Sequence, residues 1–415
     1  MNDFEYRNGE LFCEDIRAKD LIEKYGTPLY VYSKKAVCGG FDRLSDAFKK
    51  IDHLICFSVK SCSNLGVLRV LKEKGSGFDI VSGGELFRVE EIDADMSKVV
   101  FAGVGKTCDE IEYALEQNIL MFNVESEQEA ERINAIAGDL GVEANIAIRI
   151  NPDVDPKTHK YITTGKSENK FGVDIERGYD LYKKASGLKN LAVKGIQMHI
   201  GSQITEIEPY INAVRKITRL AEKVAKDIAP LGYLDIGGGM GIVYEDEKPF
   251  DIPAFAEAIV KEIKSLGVKL IIEPGRYIAG NSGVLLTQVQ YLKKSAEKNF
   301  IIVDAGMNDL IRPSLYGSYH RVEPVTKHDN GSVLCDVVGP VCESGDFIAK
   351  NRKIGRVSQN DYLCVFGAGA YSFVMSSNYN SRPRAAEILV DGNEDVMIRK
   401  REEYLDLIRL DNPNI

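Results

Sequence analysis

Lys60 closes an apolar run, His53-Leu54-Ile55-Cys56-Phe57-Ser58-Val59, and is followed by small residues and then a helical pattern. Such a run reads as a buried strand, and a lysine at its carboxyl end is expected to be desolvated. Desolvation favours the neutral amine, which can form a Schiff base with a carbonyl group. The alternative is a lysine that ends a strand and snorkels to water. Groups of comparable reactivity recur along the chain: Asp79 before Ser82-Gly83-Gly84-Glu85, then Arg149-Ile150-Asn151, His199-Ile200-Gly201-Ser202-Gln203, Asp235-Ile236-Gly237-Gly238-Gly239 and Glu273-Pro274-Gly275-Arg276. Each also has a plain reading. The glycines serve as a strand-to-helix turn or as bare amides that cradle a phosphate. His199 is a hydrogen-bonded structural histidine or a flat partner for a ring, and Glu273 with Arg276 is a loop ion pair or a functional one. Taken together, an amine, phosphate-binding amides, a flat imidazole and a carboxylate able to keep a ring nitrogen protonated suit pyridoxal 5'-phosphate.

These groups need a frame that brings them to one place. Each follows a short apolar, β-branched run: His53 to Val59, Phe78 to Val81, Val99 to Phe101, Met121 to Val124, Asn145 to Ile150, Val193 to Ile200, Tyr233 to Ile236 and Leu270 to Ile272. Helical patterns such as Asn64 to Lys74, Ser126 to Leu140 and Pro209 to Lys226 lie between them. Eight strands alternating with helices predict an α/β fold of (β/α)8 barrel type, whose active face lies at the carboxyl ends of the strands. A doubly wound open sheet is the second choice, and the missing Gly-x-Gly-x-x-Gly after the first strand argues against it. From about Asn281 alternating runs with turn signals replace helical periodicity and predict a second, mostly β domain. The expected organisation is an N-terminal segment, 1–32, joining the β domain; a cofactor-binding barrel, 33–276; and the C-terminal β domain, 277–415.

Composition narrows the partners. The 415 residues carry 53 basic and 62 acidic side chains, a net charge of -9, with no long basic run to track a phosphate backbone. No window approaches the roughly 18 apolar residues that span a bilayer, and the first residues are acidic. Neither nucleic acid nor membrane is expected as a partner, and a cytoplasmic location is. Eight scattered cysteines, without Cys-x-x-Cys or paired histidines at ligand spacing, predict neither a disulfide scaffold nor a metal site.

The ordered set Phe78 to Leu86, His199 to Gln203, Gly237 to Gly239, Glu273 to Arg276, Arg312-Pro313-Ser314-Leu315-Tyr316, Gly339-Pro340-Val341-Cys342-Glu343-Ser344-Gly345-Asp346 and Gly369-Ala370-Tyr371 resembles the fold-type III pyridoxal phosphate decarboxylases, and among them the diaminopimelate decarboxylases. The resemblance covers nearly the whole chain. One departure is Ser61-Cys62 after the lysine, where the family usually has Ala-Asn. The resemblance implies that Lys60 carries the cofactor, that His199 stacks on its ring and that Glu273 meets the pyridine nitrogen. It further implies that Ser202, Gly238, Gly239, Pro274, Gly275, Arg276 and Tyr371 line the cofactor and its phosphate. Cys342 would supply a proton from the other subunit of a head-to-tail homodimer with shared active sites. A thiol, ordinarily titrating near about 8.5, suits that task; the plain reading is a buried small hydrophobe.

For the substrate, Arg276 and Arg312 can each hold a carboxylate bidentately, Glu343 can pair with a distal ammonium, and Tyr316 and Tyr371 complete the set. With Arg312, Tyr316 and the segment Ile204 to Tyr210, the resemblance to the diaminopimelate type implies meso-2,6-diaminopimelate, decarboxylated to L-lysine, rather than carboxynorspermidine, arginine or ornithine. A non-catalytic cofactor-binding protein would resemble the barrel alone, and an inactive regulatory homologue would have lost Lys60 or Cys342. The stretch Pro156 to Phe171 resembles the family's mobile active-site loop.

Overall fold

The protein is described by a computed structural model in which residues 3–155, 170–329 and 331–411 are placed. Most of the stretch Pro156 to Phe171 therefore lies outside the described residues. The chain forms two compact units: Met1–Gly39 with Val243–Glu247 and Ile278–Ile415, and Gly40–Ile242 with Lys248–Tyr277.

The second of these units is a closed parallel barrel. Its strands are His53–Ser58, Gly77–Ile80, Val99–Phe101, Met121–Val124, Ala144–Asn151, Leu191–Gln197, Tyr233–Asp235 and Lys269–Ile272. Pairing runs in chain order and closes where the eighth strand meets the first, Leu270 opposite His53. A two-residue strand, Val173–Asp174, adds to the end of the fifth at Ile150 and Asn151. Because helices cover the outside and side chains fill the inside, these strands read as apolar runs rather than alternations.

The strand-to-helix turns carry the capping residues. Side chains of Asn64, Ser82, Thr107, Ser126, Asp174 and Asp251 accept backbone N–H groups at the starts of helices Leu65–Glu73, Gly83–Glu90, Cys108–Glu116, Glu127–Leu140, Ile175–Ser186 and Ile252–Ile263. Each cap satisfies a donor that the helix cannot and so fixes where the chain turns at the barrel's active face. The one expected strand that ends clearly early is the sixth, which stops at Gln197 rather than Ile200. His199 therefore sits on the turn beyond the sheet.

The first unit is a mostly β structure. Its sheet has the order Phe347–Gly355, Ser332–Val338, Asn299–Val303, Gly283–Lys294, Leu29–Ser33, Ala386–Asp391 and Glu394–Arg399. Tyr362–Val365 pairs with both Gly283–Lys294 and Val322–Pro324. The N-terminal strand Leu29–Ser33 lies between Gly283–Lys294, antiparallel to it, and Ala386–Asp391, parallel to it. Every residue of that strand is buried, as a central position requires. Its own core gathers Leu11, Leu21, Leu29, Val31, Val284, Leu286, Ile388 and Val390.

Gly77 shows how tightly the barrel is drawn together. A Cβ at this position would lie 2.2 Å from the Lys98 carbonyl oxygen and 3.0 Å from Cys56 Sγ. Backbone cannot yield as a flexible side chain can, so Gly77→Ala is expected to destabilise the protein by about 1–3 kcal/mol. Thermal melting checks this, and an unchanged melting temperature would count against the packing described.

Candidate active site

Lys60 sits just past the first barrel strand, in the single 3-10 turn Val59–Ser61. Its Nζ donates to Asp79 Oδ2 at 2.7 Å, and the Ser58 hydroxyl donates to the same oxygen at 2.7 Å. At the end of a buried strand the lysine is expected to be desolvated. Instead it meets a carboxylate, and its side chain keeps 34% of its accessibility. Ser61, the family departure, is accounted for locally: it is buried and donates to the Ser58 carbonyl at 2.8 Å. Gly275 packs against it, since a Cβ there would lie 2.9 Å from Ser61 Cβ.

Asp79 belongs to a trio of buried carboxyl groups with Asp235 and Glu273. Asn123 Nδ2 donates to Glu273 Oε1 at 3.2 Å and lies 3.4 Å from Asp235 Oδ2, while Gln197 Nε2 lies 3.4 Å from Glu273 Oε2. The Gly237 N–H donates to Asp235 Oδ1 at 2.8 Å. Burial raises the pKa of Asp235 to about 7. Glu273 is pushed well above the ordinary carboxylate range by burial first and then by the charges of Asp235 and Asp79.

His199 accepts a hydrogen bond at Nδ1 from the Gly238 N–H, 3.2 Å away, which leaves the other ring nitrogen to carry the proton of the neutral imidazole. Loss of solvation, then Arg149, then Lys60 hold its pKa well below 6.5, so it is neutral at physiological pH. The glycine turn beside it tolerates no side chain: a Cβ on Gly238 would lie 1.9 Å from the Glu273 carbonyl oxygen, and one on Gly239 2.1 Å from that of Gly201. Gly239 also has φ +102°, a region open chiefly to glycine. Arg276 is buried and donates from Nη2 to Ser202 Oγ at 3.2 Å. The barrel thus brings together Lys60, His199, Ser202, Gly238, Gly239, Glu273, Pro274, Gly275 and Arg276 at one end.

The β unit holds the remaining candidates. Arg312 and Tyr316 begin and end the short helix Arg312–Tyr316. Arg312 Nη1 lies 2.9 Å from His320 Nε2, and its guanidinium carbon lies 4.9 Å from the Tyr244 ring centroid. His320 Nδ1 lies 2.9 Å from the Phe366 carbonyl oxygen, which can only accept, so Nδ1 carries the hydrogen and Nε2 accepts from the arginine. Cys342 and Glu343 are exposed on a turn, and Tyr371 has a left-handed backbone at φ +55°.

Asn123, Gln197 and His320 were not singled out from sequence. The signal for the first two was present: an amide inside an apolar barrel strand points into the barrel and needs a polar partner there. Nothing around His320 in the chain marks it.

Residues 36–280 match the family described as pyridoxal-dependent decarboxylase, pyridoxal binding domain. The chain is 51% identical to the diaminopimelate decarboxylase of Aquifex aeolicus over 96% of its own length and 95% of that protein's. It is 47% identical to that of Haemophilus influenzae over 99% and 100%. The chain belongs to the diaminopimelate decarboxylase family. The crystal structure of a member from Helicobacter pylori complexed with L-lysine superposes with a TM-score of 0.92 at 41% identity, covering 94% of this chain and 98% of that one.

The barrel residues fit the pyridoxal phosphate that this family uses. Asp79 Oδ1, Asn123 Oδ1 and Gln197 Oε1 are buried acceptors with no hydrogen-bond partner among the described residues. Such a surplus of acceptors around Glu273 suits a ring that brings an N–H and a positive charge. Without it the trio is a load on the fold. A buried carboxyl whose pKa is raised binds its proton more tightly folded than unfolded, so stability present below about pH 4 is lost as pH rises toward about 7. In cofactor-free protein, Glu273→Gln is therefore expected to raise the melting temperature at pH 8, with the gain shrinking toward pH 4. A gain independent of pH would show that these carboxyl groups do not load the fold.

Proposed function

We propose that the protein decarboxylates meso-2,6-diaminopimelate to L-lysine and carbon dioxide, the last step of lysine synthesis. The observation that carries the reading is the match to diaminopimelate decarboxylases along both units, including the β unit with Arg312 and Cys342. Pyridoxal phosphate, when bound, supplies an electron sink for the pair left at the carbon that loses its carboxylate. The chain's own residues do the rest.

The Lys60 amine, held by Asp79, would carry the cofactor. Glu273 would face the ring nitrogen, where a carboxylate would keep that nitrogen protonated and so strengthen the ring's pull on electrons. The neutral, tautomer-fixed His199 offers a flat face without charge. The N–H groups of Gly239, Gly275 and Arg276, with the Ser202 hydroxyl, suit the phosphate oxygens, while Gly238 gives its N–H to His199.

Meso-diaminopimelate has one L and one D centre, and loss of carbon dioxide from the D centre leaves L-lysine. The distal L end must then be recognised as an amino acid. Arg276 and Arg312 are assigned to carboxylate binding, Glu343 to the distal ammonium, and Tyr316 and Tyr371 to hydrogen bonding. Cys342 would give its proton to the carbon that has lost carbon dioxide, reaching it from the second copy of a homodimer. The eight cysteines are thiols rather than disulfides among the described residues, which fits a reducing cytoplasm.

Two measurements test this. Carbon dioxide release should be far faster with meso-diaminopimelate than with lysine, ornithine, arginine or carboxynorspermidine, and a preference for any of those would overturn the substrate assignment. Purified protein should be yellow and lose that colour in Lys60→Ala together with nearly all turnover; a colourless variant that still releases carbon dioxide would sink the role of Lys60.

A further inference from the structure

The turn that carries Cys342 is gripped from two sides. On one side the buried Asp346 accepts the Val341 N–H at 2.6 Å and the Met307 N–H at 2.7 Å. Gly339 runs so close that a Cβ there would lie 2.6 Å from Asp346 Oδ2. On the other side the backbone N–H of Cys342 itself donates to Asn380 Oδ1 at 2.8 Å. Asp346 thus fixes the approach to the cysteine, and Asn380 fixes the cysteine.

Asn380 is held in an unusual backbone state to do so. It lies at φ +57°, and Ser381 follows at φ +53°. Two successive left-handed residues persist only where surroundings over-determine them, and asparagine tolerates the state better than most. The surroundings are visible: Asn378 Nδ2 donates to the Arg382 carbonyl at 3.0 Å and to Glu402 Oε2 at 2.6 Å. Glu402 in turn accepts the Arg384 N–H at 2.9 Å and its Nε at 2.8 Å. Tyr379, between the two asparagines, lies near Glu343, the residue after the cysteine, whose carboxylate pushes the tyrosine pKa up. One loop therefore borders both Cys342 and Glu343.

From this geometry we infer that Asn380 is a positioning residue for the Cys342 thiol, setting where the proton is delivered without touching substrate or cofactor. The inference rests on the reading of Cys342 as the proton donor. Proton transfer depends on placement, and a displacement of about 1 Å in an aligned group lowers turnover by up to about 100-fold. Asn380 acts one covalent step from the side chain that must be aligned, so its effect falls on turnover rather than on binding.

The test uses the holoenzyme and two variants. Asn380→Gly keeps the left-handed backbone free of strain but removes the acceptor, whereas Asn380→Asp keeps an acceptor oxygen. Asn380→Gly is expected to lower kcat about tenfold, with KM for meso-diaminopimelate, cofactor absorbance and melting temperature close to those of the unaltered protein. Asn380→Asp is expected to recover most of that loss. Iodoacetamide labelling, read by mass spectrometry on the separate peptides, should speed up at Cys342 in Asn380→Gly and stay constant at the exposed Cys108.

The inference is overturned by an unchanged kcat and labelling rate in Asn380→Gly, or by a loss that Asn380→Asp does not repair. Cys342→Ala separates this inference from the reading beneath it. If that variant turns over normally, Cys342 is not the donor and the underlying reading fails. If it is slow, adding Asn380→Gly should lower kcat no further, and an additive loss would show that Asn380 acts elsewhere.

Discussion

Asp79, Asp235 and Glu273 share one buried space where like charges cannot all persist, and much of the barrel mouth is arranged around that fact. Parallel strands converge there, so side chains pointing inward from strands far apart in sequence become neighbours. Lys60 brings a cation to this space, tied to Asp79 at 2.7 Å. The remaining charge is managed by proton uptake and by the amides of Asn123 and Gln197, which are spent on Glu273. A core built for stability alone would place apolar side chains at these positions. Keeping carboxyl groups there makes sense for a fold selected to receive a ring nitrogen and an attached phosphate.

The β unit solves a different problem, that of aiming a buried cation. Arg312 is oriented by a neutral imidazole, whose own hydrogen is taken up by the Phe366 carbonyl, and by the face of Tyr244. These partners fix direction while leaving the net charge of the group intact. The turn of Cys342 follows the same logic in its backbone. Asp346 and Asn380 satisfy N–H groups on a turn that forms no ladder of its own, and the side chains of Cys342 and Glu343 remain exposed.

How far the chain could be read depended on whether the determining contacts were local. The eight barrel strands stood out because burial on both faces forces continuous apolar runs such as His53 to Phe57. The strand-end groups followed from the barrel's own geometry. Strands Phe347–Gly355 and Glu394–Arg399 escaped notice because they mix charged with apolar residues and bury only part of their length or none of it. The carboxylate beside Lys60 escaped for another reason. Asp79 was visible at the end of the second strand, but its contact with Lys60 depends on how neighbouring strands stagger, which periodicity does not encode. His320 and Asn380 are further cases, each meaningful only through a partner that is distant along the chain or in the fold.

The position of Leu29–Ser33 has a consequence for how the molecule is made. This strand emerges from the ribosome early, yet the strands on either side of it are Gly283–Lys294 and Ala386–Asp391. The barrel lies between them in the chain and pairs almost entirely within itself. Synthesis therefore leaves a strand built for full burial unpaired throughout translation of the barrel, and its second partner emerges only with Ala386–Asp391. Loss of the final strands by truncation would expose the first, giving nascent or damaged chains an adhesive edge that chaperones and proteases can recognise.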